Sequence, residues 1–218
     1  MTRKAEKAEN SSTTGLVLHK AAGYDLLLWL VTRGREQAFR EKMLQFAHLQ
    51  PGDAVLDVGC GTGTLAILAK RKVGPTGEVC GIDASPEMIA RAQRKARRAG
   101  IQVSFKESFA QSLPFSEGRF DVVMTTVMLH HLPKKARAVL AGEMRRVLKP
   151  GGRVLAIDFS AKEKARKSFL DHIHRRHGQV DFKQIIALFS DAGLHIVESG
   201  AVGMRDLQFL IATAPRCA

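Results

Sequence analysis

Asp57, Gly59, Gly61, Thr62 and Gly63 stand within seven residues of each other, at the end of the apolar run Ala54-Val55-Leu56. An acid, then three glycines on alternate positions, then the helix-like run Thr64 to Val73 reads as a buried strand, a tight turn and a helix N-terminus. Glycine lets the backbone turn sharply and lets a ligand approach with no β-carbon in the way. Three kinds of ligand suit such a turn. A triphosphate loop needs Lys and then Ser or Thr after its last glycine, but Thr64-Leu65 stands here. A dinucleotide fingerprint needs a glycine three positions after its second one, and counted from Gly61 that position is Thr64. The third is a ligand with a carboxylate and an ammonium group but no phosphate. Asp57 suits it, because the acid would repel a phosphate. A plain strand-to-helix turn of an α/β protein is the alternative that the motif alone leaves open.

Other residue types with chemical potential are scattered. Asp83 ends the short run Val79-Cys80-Gly81-Ile82, twenty residues beyond Gly63, where nucleoside-binding doubly wound folds place a carboxylate for the ribose hydroxyls. His130 and His131 follow the run Phe120 to Thr125, and Asp158 lies near the end of Arg153 to Phe159. A histidine titrating near neutrality suits proton removal from an acceptor. The alternative is that the pair packs or caps the next helix. His172, His174 and His177 suggest a metal, but on a helix His172 does not share a face with both others, and no Cys or acid completes a set. No metal is expected.

These residues need a scaffold, and the chain supplies one. Strands are predicted over 53–58, Val79–Asp83, Gln102–Glu107, Phe120–Thr125 and Arg153–Phe159. Helices are predicted to about Val73, from Ser85-Pro86-Glu87 to Gly100, and over Lys134–Leu148, with turns at Pro51-Gly52, Gly74–Gly77 and Lys149–Gly152. Ser85 is placed to cap its helix and Pro86 suits the first turn. Strand–helix alternation implies a parallel sheet with helices on both faces. Ligands in such sheets sit outside the carboxyl ends of the strands, which gathers Asp57, Asp83, Phe109, Thr126 and Asp158 around one crevice. A basic helix is predicted over Ala161–His177 and another helix over Phe182–Gly193. Two final strands, Leu194–Glu198 and Leu207–Thr213, pair as a hairpin around Ser199–Gly203. Before the domain, Leu16–Val31 is the first ordered segment, with Tyr24 to Val31 as its apolar core. A helix over about Arg35–Leu49 follows, with Phe39, Met43, Phe46 and Ala47 at helical spacing. This prelude either packs on the domain or serves as a lid or a face for a lipid-like substrate.

The 218 residues suffice for one α/β domain with a full core. No apolar run reaches the ~20 residues of a membrane span. Met1 to Thr14 is polar and reads as a disordered leader. Cys60, Cys80 and Cys217 are isolated, which argues against a disulfide framework and fits a cytoplasmic location. A net charge of +13 admits a nucleic-acid, membrane-surface or acidic partner, or simply a basic solvated surface. The charge run Arg91, Arg94, Lys95, Arg97 and Arg98 reads as one solvated helix face. No interleaving of aromatic and basic residues supports base stacking, so nucleic acid is an unlikely partner.

The run Asp57-Val58-Gly59-Cys60-Gly61-Thr62-Gly63 resembles the first motif of class I S-adenosylmethionine-dependent methyltransferases. The resemblance extends from about Leu49 to Leu155. It takes in Asp83, Leu113-Pro114-Phe115, Phe120-Asp121-Val122-Val123, Leu129-His130-His131-Leu132 and Arg146-Val147-Leu148-Lys149-Pro150-Gly151-Gly152. Within that superfamily the chain looks most like the ubiquinone/menaquinone-biosynthesis group, and Tyr24-Asp25, Gly34 and Arg40 resemble that group's N-terminal region. It departs from it where Phe109-Ala110 replaces an Asp-Ala or Asn-Ala pair near the adenine, and where His130-His131 replaces an Arg-Asn pair.

The resemblance implies a single Rossmann-like domain over 51–218 with a mostly parallel seven-stranded sheet. A helical lid over 15–50 and a leader over 1–14 precede it. The implied cofactor is S-adenosylmethionine, held by Asp57, Gly59, Gly61, Thr62, Gly63, Asp83, Ala84, Met88, Phe109, Ala110 and Thr126. Tyr24 falls on the substrate side, and His130, His131 and Asp158 are the candidate catalytic residues. The expected reaction is in-line methyl transfer to a small, hydrophobic or lipid-like acceptor, with peripheral membrane contact as an associated expectation. Orientation can supply most of the rate effect, up to ~7–11 kcal/mol. The alternatives are a nucleic-acid methyltransferase and a non-catalytic, cofactor-binding regulatory protein. Against the first, Thr126-Val127-Met128-Leu129 stands where base-amino methylases carry Asn/Asp-Pro-Pro-Tyr/Phe. Oligomeric state is not legible in the sequence.

Overall fold

The structure is a computed structural model of the chain, and it describes residues 36–160, 181–203 and 206–216. Tyr24, the Leu16–Val31 segment, the predicted helix Ala161–His177 with its three histidines, and Cys217 lie outside the described residues. Among those described, no helix is long and apolar enough to cross a membrane, and no group of three metal-ligating side chains occurs.

The chain enters at α1 (Glu36–Gln45), then alternates β1 (Ala54–Val58), α2 (Thr64–Val73), β2 (Glu78–Asp83), α3 (Pro86–Arg98) and β3 (Ser104–Glu107). It continues through β4 (Phe120–Thr126), a 3₁₀ turn (Leu129–His131), α4 (Lys134–Val147) and β5 (Leu148–Phe159), then α5 (Phe182–Asp191), β6 (His195–Ala201) and β7 (Leu207–Thr213). The sheet order is β3-β2-β1-β4-β5-β7-β6. Only β7 runs against its neighbours; the other pairings are parallel. The mostly parallel seven-stranded sheet is as the sequence implied.

Central strands of such a sheet are covered on both faces, so they need near-continuous apolar runs. Val55, Leu56 and Val58 of β1 and Val122, Val123 and Met124 of β4 meet this demand, and all are fully buried. One face is packed by α1, α2 and α3 through Met43, Leu65, Ile89 and their neighbours. The other is packed by α4 and α5 through Leu140, Met144, Ile185 and Phe189. The chain leaves β1 towards β2 and β3 on one side and resumes with β4 on the other. Between the carboxyl ends of β1 and β4 this reversal opens a crevice.

Local signals place the elements. Ser85 accepts a hydrogen bond from the Met88 N–H at 3.3 Å, and Pro86 opens α3. Asp181 likewise caps α5 through the Lys183 N–H. Some boundaries differ from expectation. The helix expected over Arg35–Leu49 ends at Gln45, and Phe46 to His48 form a turn with His48 in the left-handed region. Arg153 closes that end, donating to the carbonyls of Ala47 and His48 and to Asp53. β5 starts at Leu148, not Arg153, because Leu148 pairs with Phe120 before an irregularity in the register. β6 runs to Ala201, so the expected Ser199–Gly203 loop begins later. Basic side chains occupy the last turns of α1 to α4, where cations complement the helix dipole.

The glycine turn is fixed from behind by a phenyl ring. Gly63 has φ +77°, and a β-carbon there would lie 2.7 Å from Phe105 Cζ and 2.8 Å from Ala92 Cβ. At Gly81 in β2 a β-carbon would also strike the Phe105 ring, at 2.8 Å. Gly63→Ala therefore combines a disfavoured φ with overpacking. We expect it to lower unfolding stability by ~2 kcal/mol or more, measured by urea denaturation; an unchanged midpoint would show that the ring can withdraw.

Candidate active site

The crevice is walled by the turn after β1, the end of β2, the loop after β3 and the end of β4. Asp57, Gly59, Gly61, Thr62, Asp83, Ala84, Met88, Phe109, Ala110 and Thr126 all line it, and so does His131. Gly63 lies behind, against Phe105 and Ala92. His130 and Asp158 stand off the lining as a pair.

The turn is held by its own amides. The N–H groups of Gly59 and Cys60 both donate to the Ile82 carbonyl at 2.9 Å. The Gly61 N–H donates to Asp83 Oδ2 at 2.9 Å, and the Ser85 N–H donates to Asp83 Oδ1 at 2.9 Å. Asp83 is thereby fixed at the crevice wall, and a carboxylate held in this way can accept from vicinal hydroxyls. Burial raises its pKa, while the amides of Ser85 and Gly61 oppose the rise. A β-carbon on Gly61 would meet no protein atom within 4 Å, so the space over the turn is open to a ligand.

Asp57 is the unusual group. It is 1% exposed, and neither carboxylate oxygen has a hydrogen-bond partner of good geometry among the described residues. Burial pushes its pKa up to about 7, opposed chiefly by the charge of Arg40 and raised further by Asp83. The Arg40 charge does not offset the cost of burial, so a further cation beside Asp57 would favour its ionised form. Arg40, from α1, is itself buried and lines the same crevice. An acid and a guanidinium at one end, with a hydroxyl acceptor beyond, match an amino-acid zwitterion joined to a nucleoside. Burial also raises the Cys60 thiol well above its ordinary pKa, so it serves as a neutral wall.

The end of β4 shapes the opposite side. Val127 has φ +55°, rare for a β-branched residue, and its N–H donates to the Ile157 carbonyl at 2.7 Å. This bend carries Met128 over the turn: a β-carbon on Gly59 would be 2.5 Å from Met128 Cγ. The 3₁₀ turn follows. His130 Nδ1 lies 2.7 Å from Asp158 Oδ1, and the His130 backbone N–H donates to Asp158 Oδ2 at 3.1 Å. Asp158 is fully buried and also accepts from the Phe159 N–H. The His130 and His131 rings are in contact, tilted by 44° with their centroids 3.9 Å apart. Arg137 donates to the carbonyls of Leu129 and Leu132, tying the turn to α4.

Arg40 and Met128 were not singled out as site residues from sequence. The signal for Arg40 was its place in the N-terminal helix. Met128 had none, since its position depends on the Val127 backbone.

A family model described as a methyltransferase domain matches residues 55–152. The demethylmenaquinone methyltransferase of Thermus thermophilus is 37% identical over 139 residues, 64% of this chain and 62% of that protein. The ubiquinone/menaquinone biosynthesis C-methyltransferase of Cupriavidus metallidurans is 31% identical over 169 residues, 77% of this chain and 69% of that protein. The chain thus spans about two thirds of the length of these relatives. A solved S-adenosylmethionine-dependent methyltransferase from Aquifex aeolicus shares the fold, with a TM-score of 0.68 and 24% identity over 80% of this chain and 88% of that one. Sheet, crevice and matches together define a class I S-adenosylmethionine-dependent methyltransferase. Within that class the chain belongs to the family that includes the quinone-biosynthesis C-methyltransferases.

The folded-state pKa of Asp57 exceeds its ordinary value of 3.8, so its burial opposes folding increasingly as the pH rises from 3.8 through about 7. A cationic ligand reverses this by favouring the ionised form. We expect the affinity for S-adenosylhomocysteine to fall about tenfold per pH unit below 7, measured by calorimetry. Asp57→Asn should raise the melting temperature of the ligand-free protein at pH 8 more than at pH 5 and abolish tight binding. A pH-independent affinity would show that Asp57 does not face the ammonium.

Proposed function

We propose that this enzyme methylates a small, hydrophobic, lipid-like acceptor. The observation that carries the reading is the wall beyond β4, where Val127, Met128 and Leu132 present apolar surface beside His131. Relatives named for menaquinone and ubiquinone biosynthesis agree in acceptor class.

The bound cofactor supplies a methyl group on a sulfonium, already activated for in-line displacement. The chain's task is placement. Asp57 receives the ammonium and Arg40 the carboxylate, while Asp83 accepts from the ribose hydroxyls. Gly59, Gly61, Thr62 and Gly63 keep the turn low enough for close approach. Ala84, Met88, Phe109, Ala110 and Thr126 line the remainder. His131 orients the acceptor and takes its proton. His130 is a positioning residue, locked by Asp158, which holds the 3₁₀ turn and the adjoining ring in place. Residues 51–218 are assigned to the methyltransferase domain, and Tyr24, expected on the substrate side, lies outside the described residues. The location proposed is cytoplasmic, with the acceptor drawn from the membrane periphery.

The positive charge gives limited support to a nucleic-acid acceptor. Most cations of the last helical turns are not among the residues that line the crevice; Lys95 is placed differently, its ammonium donating to the hydroxyls of Thr62 and Thr64 behind the turn.

Incubating the enzyme with methyl-labelled cofactor and fractionated cell extract should place label in the lipid fraction. Label confined to RNA would overturn the reading, and binding without transfer to any pool would favour a regulatory role. His131→Ala should reduce turnover of the identified acceptor by about 100-fold, with cofactor affinity within about twofold of the parent. Unchanged turnover would remove His131 from the mechanism.

A further inference from the structure

Of the five cations in α3, Lys95 does not share the solvated face on which the sequence placed it. Arg94, Arg97 and Arg98 are exposed, whereas Lys95 is half-buried. Its ammonium donates to Thr62 Oγ1 at 2.9 Å and to Thr64 Oγ1 at 2.8 Å. These two threonines flank Gly63, and both line the crevice while Lys95 does not. Ala92, one turn before Lys95 on α3, fills the space that a Gly63 side chain would take. One helix therefore supports the middle of the turn by contact and its two sides by charge.

Gly59, Gly61 and Gly63 have φ of +74°, +53° and +77°. Glycine has access to many backbone states, so a turn built on alternate left-handed glycines must have its shape imposed by its neighbours. β2 imposes it as far as Gly61, through the Ile82 carbonyl and Asp83. Past Thr62 the backbone enters α2, whose N-terminus has no side-chain cap and no acid in its first turn. An ammonium beside a helix N-terminus opposes the helix dipole, so the stability of α2 is no reason for a lysine there. An ammonium has three donors and no acceptor. It can hold two hydroxyls at once without competing for the N–H groups of the turn. We propose that Lys95 is a positioning residue for the methyl-donor site: by tying Thr62 and Thr64 to α3 it keeps the glycine turn in the form that admits the cofactor. This rests on the placement of the cofactor over that turn given above.

The test is calorimetry of S-adenosylhomocysteine on the full chain, alongside the melting temperature of the ligand-free protein. Lys95→Met keeps the aliphatic stem and should weaken binding about tenfold, the loss expected when charge-assisted hydrogen bonds are removed, while the melting temperature moves by less than about 2 °C. Lys95→Arg, which can serve both hydroxyls from separate N–H groups, should bind within about threefold of the parent. With Thr62→Val and Thr64→Val already in place, Lys95→Met should cost less than about twofold further, because the hydroxyls through which it acts are gone. An undiminished loss in that background would overturn the proposal, as would Lys95→Arg binding as weakly as Lys95→Met. A loss of affinity matched by a large fall in melting temperature would overturn it in favour of a merely structural role. If the unsubstituted protein fails to bind the ligand, the placement of the cofactor falls and this inference with it; a parent that binds no better than Lys95→Met removes Lys95 alone.

Discussion

A carboxylate sealed from water with neither oxygen in a well-formed hydrogen bond is held at the expense of folding free energy. Asp57 is in that state, and the upper half of the sheet keeps it there. β1 delivers it in register between β2 and β4, with Asp57 opposite Gly81 on one side and Met124 on the other. The first turn of α2 closes over it, and Arg40 approaches from α1. Asp83, in the same crevice, adds a second carboxylate whose ionisation burial also resists. Two acids of this kind make a cavity that favours cations. A ligand that offered Asp57 an ammonium and Asp83 a pair of hydroxyls would relieve both, and its binding would stabilise the fold.

Much of this was legible in the sequence for identifiable reasons. The acid-glycine run, the second acid at its fixed distance and the Ser85-Pro86 cap are local signals, and each governs its own backbone. All three appear where expected. Strand cores were legible because a parallel sheet buried on both faces demands uninterrupted apolar runs. The less legible features depend on distant partners. β5 begins early because Leu148 finds Phe120 across the sheet. The helix expected to Leu49 stops at Gln45, where Arg153, more than a hundred residues on, takes the carbonyls of the turn that follows. Arg40 joins the crevice only because α1 packs on α2.

His130, His131 and Asp158 show how sequence adjacency can conceal different roles. The two histidine rings of the 3₁₀ turn touch, yet only His131 lines the crevice while His130 Nδ1 meets a buried acid. Asp158 has its oxygens engaged by two backbone amides and one imidazole. No pattern of residue types distinguishes these cases; the topology that brings the end of β5 beside the end of β4 does.

The Phe105 ring, which fills the space left by the missing side chains of Gly63 and Gly81, joins the outermost strand β3 to the floor of the turn. Strand and ligand thus share one partner and are thermodynamically linked. Whatever free energy the cofactor gains from a docked β3, the strand gains in return when the cofactor is bound, since such coupling is reciprocal. An edge strand of four residues, which would ordinarily be among the first parts of the sheet to open, is in this fold tied to the occupancy of the crevice. Its amide exchange should report on saturation of a site its own side chains do not touch.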